Sequence, residues 1–181
     1  MLRRRFVALL GCVLTTACVS LPASAQMDKK APLSPPEKAS VMLNGKAVTI
    51  DYSAPSMRGR KIMGGLVPWD KEWRTGANAA TTLKTAVNLK IGSLSVPAGT
   101  YTLYSIPSQS SWRLIVNKQT GQWGTMYDPT KDLGRVDMMN GTAPSSPVEM
   151  FQIKFENTSG NKTELHLVWD KTDVYVPVTA E

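Results

Sequence analysis

Leu83-Lys84-Thr85-Ala86-Val87-Asn88-Leu89-Lys90-Ile91 places its larger apolar side chains at every second position along its whole length. Successive side chains of an extended backbone point to opposite faces, so this run reads as one strand with one face buried. A helix would need apolar residues three and four apart, and that spacing is missing here. The same alternation recurs on both sides of the run. Upstream, Val48, Ile50 and Tyr52 alternate with Thr49 and Asp51 behind Asn44-Gly45, a pair suited to a tight hairpin turn. Downstream, Leu94 to Val96, a Pro97-Ala98-Gly99 turn and Tyr101 to Ile106 follow. Trp112, Leu114 and Val116, then Phe151, Ile153 and Phe155, continue the pattern. Leu165, Leu167 and Trp169 lie beyond a Ser159-Gly160-Asn161 turn, and Val174, Val176 and Val178 follow them. Short strands at this spacing, separated by Gly and Pro, predict an all-β fold. We expect a single antiparallel β-sandwich, jelly-roll or immunoglobulin-like, with long irregular loops.

The N-terminal residues have a different character. Arg3, Arg4 and Arg5 precede an apolar stretch from Phe6 to about Val19, and Ala23-Ser24-Ala25 closes it. A basic start, a short apolar middle and a small-residue exit make up a secretory signal peptide, with cleavage expected near Ala25. The stretch falls short of the roughly 20 apolar residues a membrane span needs, so no transmembrane span is expected in the mature form. Neither Cys12 nor Cys18 stands in a good lipid-anchor context, which places lipid anchoring behind simple export to the periplasm or the medium. Arg3-Arg4-x-Phe6 only faintly resembles a twin-arginine signal. The organisation expected is a leader over residues 1–25, a Pro-rich lead-in over 26–38 and the β-domain over 39–181.

Both cysteines fall in the leader, so disulfides, thiol catalysis and cysteine metal sites are excluded from the mature chain. Three of the cations behind the formal charge of +7 fall there too, and no Lys/Arg run remains, which argues against nucleic-acid binding.

Catalytic patterns fare poorly. Gly59 and Gly64 have phosphate-loop spacing, but Gly65 and Leu66 stand where Lys and Ser/Thr are needed. Asp70 and Glu72 would lie about 6.6 Å apart on a strand face, at about 3.3 Å per residue, beside Lys71 and Arg74 as ion-pair partners. The spacing of Asp128, Asp132 and Asp137 lacks the glycine and terminal Glu of a calcium loop. His166 is the sole histidine, so no zinc set exists, and no nucleophile elbow is present. No catalytic residue, metal ligand or cofactor is assigned.

The segment from Arg58 to Thr82 is the exception to the alternation. It gathers cations, two tryptophans and four glycines without a regular period. Tryptophan offers a flat apolar face, and arginine a forked donor for carboxylate or phosphate. Arg60, Trp69, Trp73, Arg74 and Asn78 are therefore the candidate ligand contacts, set against an architectural role in pinning the loop to the core. A carbohydrate, an anionic small molecule or an envelope component would suit them. The leading expectation is a non-enzymatic binding module of the cell envelope. The alternatives are a hydrolase of envelope sugars or esters using Asp70, Glu72 or His166, and a purely structural envelope protein.

Several motifs carry a resemblance. They are Ser34-Pro35, Tyr52-Ser53-Ala54-Pro55, Gly59-Arg60-x-Ile62-x-Gly64, Leu66-Val67-Pro68, Trp73-Arg74-Thr75-Gly76-Ala77-Asn78-x-Ala80-Thr81, Ala98-Gly99-Thr100-Tyr101 and Gln122-Trp123-Gly124. In that order the chain resembles an uncharacterised bacterial family, domain of unknown function 2911, with Met63 and Trp69 standing where the family prefers Phe and Tyr. The resemblance implies an exported β-rich domain and brings no activity with it.

Overall fold

The computed structural model describes residues 32–181; the expected leader over 1–25 and residues 26–31 of the expected lead-in lie outside these residues. Eleven strands follow in order: β1 (Pro36–Leu43), β2 (Lys46–Ser53), β3 (Thr81–Thr85), β4 (Leu89–Ile91), β5 (Leu94–Val96), β6 (Gly99–Ile106), β7 (Trp112–Asn117), β8 (Asp132–Asn140), β9 (Val148–Ser159), β10 (Lys162–Asp170) and β11 (Thr172–Ala180). The lead-in is shorter than its composition implies, because Pro36 already pairs with Ser53. The Asn44-Gly45 turn forms as expected, with φ of 49° and 68° joining Leu43 to Lys46.

Residues 83–91 alternate in burial as read, yet they form two strands. Leu83, Thr85, Leu89 and Ile91 are buried while Lys84, Ala86, Asn88 and Lys90 are exposed. β3 pairs with β2 and β6, whereas β4 pairs with β5 and β11. Between them the Thr85 side chain takes over the backbone's bonding: its Oγ1 accepts from Val87 N (3.2 Å) and donates to Val87 O (2.5 Å). A hydroxyl that bonds nearby main chain gives the strand a local way to stop. The apolar face therefore stays inside while the chain turns a corner.

Among the described residues all eleven strands belong to one antiparallel sheet, nine of them in the order β1-β2-β3-β6-β7-β8-β11-β10-β9 with β4 and β5 attached beside β11, curled nearly into a barrel. β8 pairs along its length with β7 but meets β11 only at Asn140↔Val174 and Met139↔Tyr175. The β4–β5 hairpin fills the resulting splay. Leu94 packs on Gly134 so tightly that a Cβ there would sit 2.5 Å from Leu94 Cδ1. On the opposite side, residues after β2 stitch the outer strands together. Phe151 N donates to Pro55 O (2.9 Å) and Met57 N to Glu149 O (2.8 Å).

One core fills the interior, contributed by both halves of the sheet: Leu43, Ile50, Leu83 and Leu114 from one, Leu165, Leu167 and Val176 from the other. Burying each such side chain contributes about 1.5–3 kcal/mol. At one end the core becomes aromatic, where Trp73 stacks on Trp169 (5.9 Å) and meets Phe151 and Trp112 edge-on. A smaller cluster of Tyr104, Ile106 and Ile115 lies on the outer face of β6 and β7, against Tyr127.

Candidate functional site

Trp73 explains how the irregular segment is shaped. β3 stops pairing with β6 at Thr81↔Leu103, and Trp73 takes the next place on that edge, exchanging both backbone bonds with Ser105 (2.8 and 2.9 Å). Residues 74–80 therefore project as a loop. Main-chain bonds hold it on two sides: Ala77 N to Ser53 O (3.0 Å), Ala80 N to Gln122 O (3.2 Å) and Gly124 N to Asn78 O (3.0 Å).

The loop's backbone is strained where it turns. Thr75 is fully buried with φ 51°, a region that β-branched residues avoid. Its Oγ1 donates to Ser105 Oγ (3.0 Å), and its carbonyl accepts from Thr81 Oγ1 (2.8 Å). Gly76, at φ 154°, lies so near Ser53 O that a Cβ would sit 3.0 Å from it. Such strain costs about 1–3 kcal/mol per residue and persists only where the surroundings enforce it.

The turn delivers Trp73 and Arg74 to a common cleft of about 680 Å³, within the range of small-molecule sites. Trp73 and Trp169 supply one aromatic wall and Tyr104 and Tyr127 another. Arg60, Glu72 and Arg74 are the charged lining residues.

Arg74 differs from its neighbours. Its stem lies against Gly124, and its buried Nε meets no hydrogen-bond acceptor. Among the described residues no carboxylate pairs with it. A buried donor of a charged group left unbonded costs about 1–3 kcal/mol or more. Arg60 is already engaged, donating from Nε to Met57 O (3.0 Å) and from Nη2 to Ser56 O (2.6 Å).

The tyrosine wall is fixed by its own network. Tyr127 OH donates to Asp132 Oδ2 (2.7 Å) and accepts from Arg135 Nη2 (2.9 Å), while its ring tilts on Tyr104 at 4.7 Å. Asn117 Nδ2 donates to the other Asp132 oxygen (2.8 Å). Burial first, then the bond to Asp132, pushes the Tyr127 phenol well above its usual range, so it stays neutral.

Four of the five expected contacts thus line one cleft: Arg60, Trp73, Arg74 and Asn78. Trp73 is also a core residue at 9% exposure, in keeping with the architectural role weighed for it, while it also lines the cleft. Trp69 lies elsewhere. It packs over Gly64 and borders a second, smaller depression of about 260 Å³ with Trp112 and Lys171. The carboxylates beside it are not ion-paired as their neighbours implied: among the described residues Asp70 and Glu72 form no salt bridge, and only Glu72 reaches the cleft.

His166 is absent from the cleft lining. On the outer face of β10 it stacks on Tyr175, with Nδ1 2.8 Å from Asp173 Oδ1 and Nε2 3.3 Å from Glu164 Oε2. Asn157 and then His166 hold the Glu164 carboxyl below its ordinary value. Asp128 and Asp132 are both spent on protein donors, Asp128 on the backbone and hydroxyl of Thr130.

Trp169, Tyr104, Tyr127, Gly124 and Thr125 are among the lining residues that sequence reasoning did not name as contacts. The irregular character of residues 119–147 is visible in sequence, but nothing there says that this stretch folds back over the outer face of β6. No curated protein and no solved structure matches the chain. The model of one family matches residues 34–178, covering every strand but the last residues of β11. The chain belongs to that family, described as Protein of unknown function (DUF2911).

Proposed function

We propose that this is an exported, non-enzymatic binding domain whose cleft takes a small anionic ligand at Arg74. The observation that carries the reading is the unpartnered guanidinium: a cation with a buried, unbonded Nε in an aromatic-walled cleft. A guanidinium presents a planar fork of donors that matches a carboxylate or phosphate bidentately. A ligand oxygen would relieve the desolvation that the protein leaves uncompensated. The strained backbone of the adjacent Thr75 and the close approach of Gly124 to the arginine stem support it further, since both fix where Arg74 stands. Export rests on the leader pattern of residues 1–25. As a frame, we read the two halves of the curled sheet as the facing layers of a sandwich-like barrel.

The hydrolase reading has little support, because Asp70 and His166 do not share the cleft with Glu72. The test is a thermal-shift screen of the purified protein against small carboxylates and phosphates, run in parallel on Arg74→Gln. A ligand that binds only the folded state raises the unfolding temperature, by about 2.7 kcal/mol of stability at a hundredfold excess over Kd. We expect shifts with the wild type that vanish in Arg74→Gln. Equal shifts in both proteins, or none in either, reject the assignment.

A further inference from the structure

The rim of the cleft narrows the ligand class. Exposed large apolar side chains gather there: Leu33 (65% exposed) and Leu66 (44%) line the cleft directly. Trp123 (54%) and Met126 (62%) flank the lining pair Gly124-Thr125, in a turn closed by Met126 N donating to Trp123 O (2.9 Å). These four come from three separate segments. Together they account for most of the exposed large hydrophobics among the described residues, the others being Met42 and Met139. Scattered exposed apolar residues need no explanation, but a group of them around one concavity marks an interaction site.

Charge fixes the other end of the ligand. The lining holds two cations and one carboxylate, and Arg60 has already committed donors to main-chain oxygens. One free guanidinium in a cleft that Glu72 also lines suits a single negative charge better than a phosphate dianion, which Glu72 would repel more strongly. We infer that the cleft binds an amphipathic carboxylate, its head on Arg74 and its apolar body running past Trp73 and Tyr127 to Leu66 and Met126. The inference rests on the anion-binding reading of the same cleft and adds the chemistry of the tail. Aromatic and thioether side chains adapt to an alkyl chain without demanding one shape.

Calorimetric titration with butanoate, hexanoate, octanoate and decanoate, each below its micellar range, tests this. Affinity should rise about two- to fourfold per added methylene, the upper figure being that of complete burial. The double variant Leu66→Ser, Met126→Ser removes exposed apolar surface at the cleft-lining Leu66 and at Met126, which follows the lining Thr125. It should flatten the chain-length dependence, lowering decanoate affinity most and butanoate affinity least. Arg74→Gln should weaken the whole series, and octanol should bind no better than butanoate. Carboxylates that all bind equally, with Arg74 still required, would overturn the amphipathic ligand but leave anion binding standing. If alkyl phosphates bind more tightly than the matching carboxylates, the assignment of the head group is wrong. If no anion binds at all, both readings fall.

Discussion

Gly124 lies directly against the side chain of Arg74: a Cβ added there would come within 2.5 Å of Arg74 Cδ and 2.8 Å of Asn78 O. The backbone of one loop thus sets where the guanidinium of another loop stands. Gly124→Ala must displace either the arginine stem or a main-chain carbonyl. We expect a loss of about 1–3 kcal/mol in urea unfolding, as for overpacked sites, together with loss of any carboxylate-induced thermal shift. A variant with wild-type stability and wild-type binding would show that the contact has no directing role.

Trp73 and Arg74 are adjacent but should respond oppositely to replacement. Trp73→Ala empties a site walled by Trp112, Phe151 and Trp169 and should cost about 3–5 kcal/mol. Arg74→Met removes an unpaired cation of similar shape. Its unfolding midpoint should equal or exceed that of the wild type, since no protein bond is lost. A marked drop in the midpoint would mean that Arg74 holds the loop together.

Alkaline stability should report on Tyr127. Its phenol is held above the ordinary value of 10.0, first by burial and then by Asp132. The unfolded chain releases that proton near pH 10 while the folded chain retains it. Stability is therefore intact below pH 10 and falls as pH rises further. Tyr52, also raised by burial, contributes in the same direction. Tyr127→Phe should remove part of the slope seen in urea midpoints above about pH 10, and an unchanged slope counts against the network. At neutral pH the variant should lose about 0.5–1.5 kcal/mol for the missing hydroxyl bonds.

Acid also lowers stability, through a different set of groups. Asp51 lies between Lys38 (2.9 Å) and Lys84 (3.2 Å) on the outer face of β1–β3, and the Lys38 bond above all holds its carboxyl below 3.8. Asp128 and Glu164 are lowered too. Their contribution is present above the ordinary carboxylate range and disappears as pH falls through the lowered values. The Asp51 side chain is 35% exposed and its two lysines 60% and 57%, so Asp51→Asn should cost under about 1 kcal/mol at neutral pH, and less in high salt. The variant should also unfold less steeply below about pH 4. A wild-type acid profile would show the bridge to be idle.

Much of the fold was legible because burial alternates wherever a strand has one covered face. Leu83 through Ile91 show both the power and the limit of that signal. The apolar face was assigned correctly, but pairing partners leave no mark on side-chain parity, so the division into β3 and β4 could not be read. β8 was only partly visible: Val136 and Met138 alternate with Arg135 and Asp137, but Leu133-Gly134 before them carry no such pattern, although the strand joins the two halves of the sheet. In the cleft, Arg74 could be singled out by residue type. Trp69 could not be separated from Trp73, since only the backbone turn decides which indole faces the opening. Tyr104 falls on the β6 face opposite the main core, and sequence gives no sign that a distant loop covers that face.

The position of β11 carries one more consequence. In chain order it follows every other described strand, yet in the sheet it lies between β8 and β10 and also supports β4. A polypeptide that emerges amino end first therefore presents a split assembly, with raw hydrogen-bonding edges on β8 and β10, until residues 172–180 arrive. Folding of this domain waits on its last insertion. A chain stalled or clipped before that point would be the form most prone to join, edge to edge, with its neighbours.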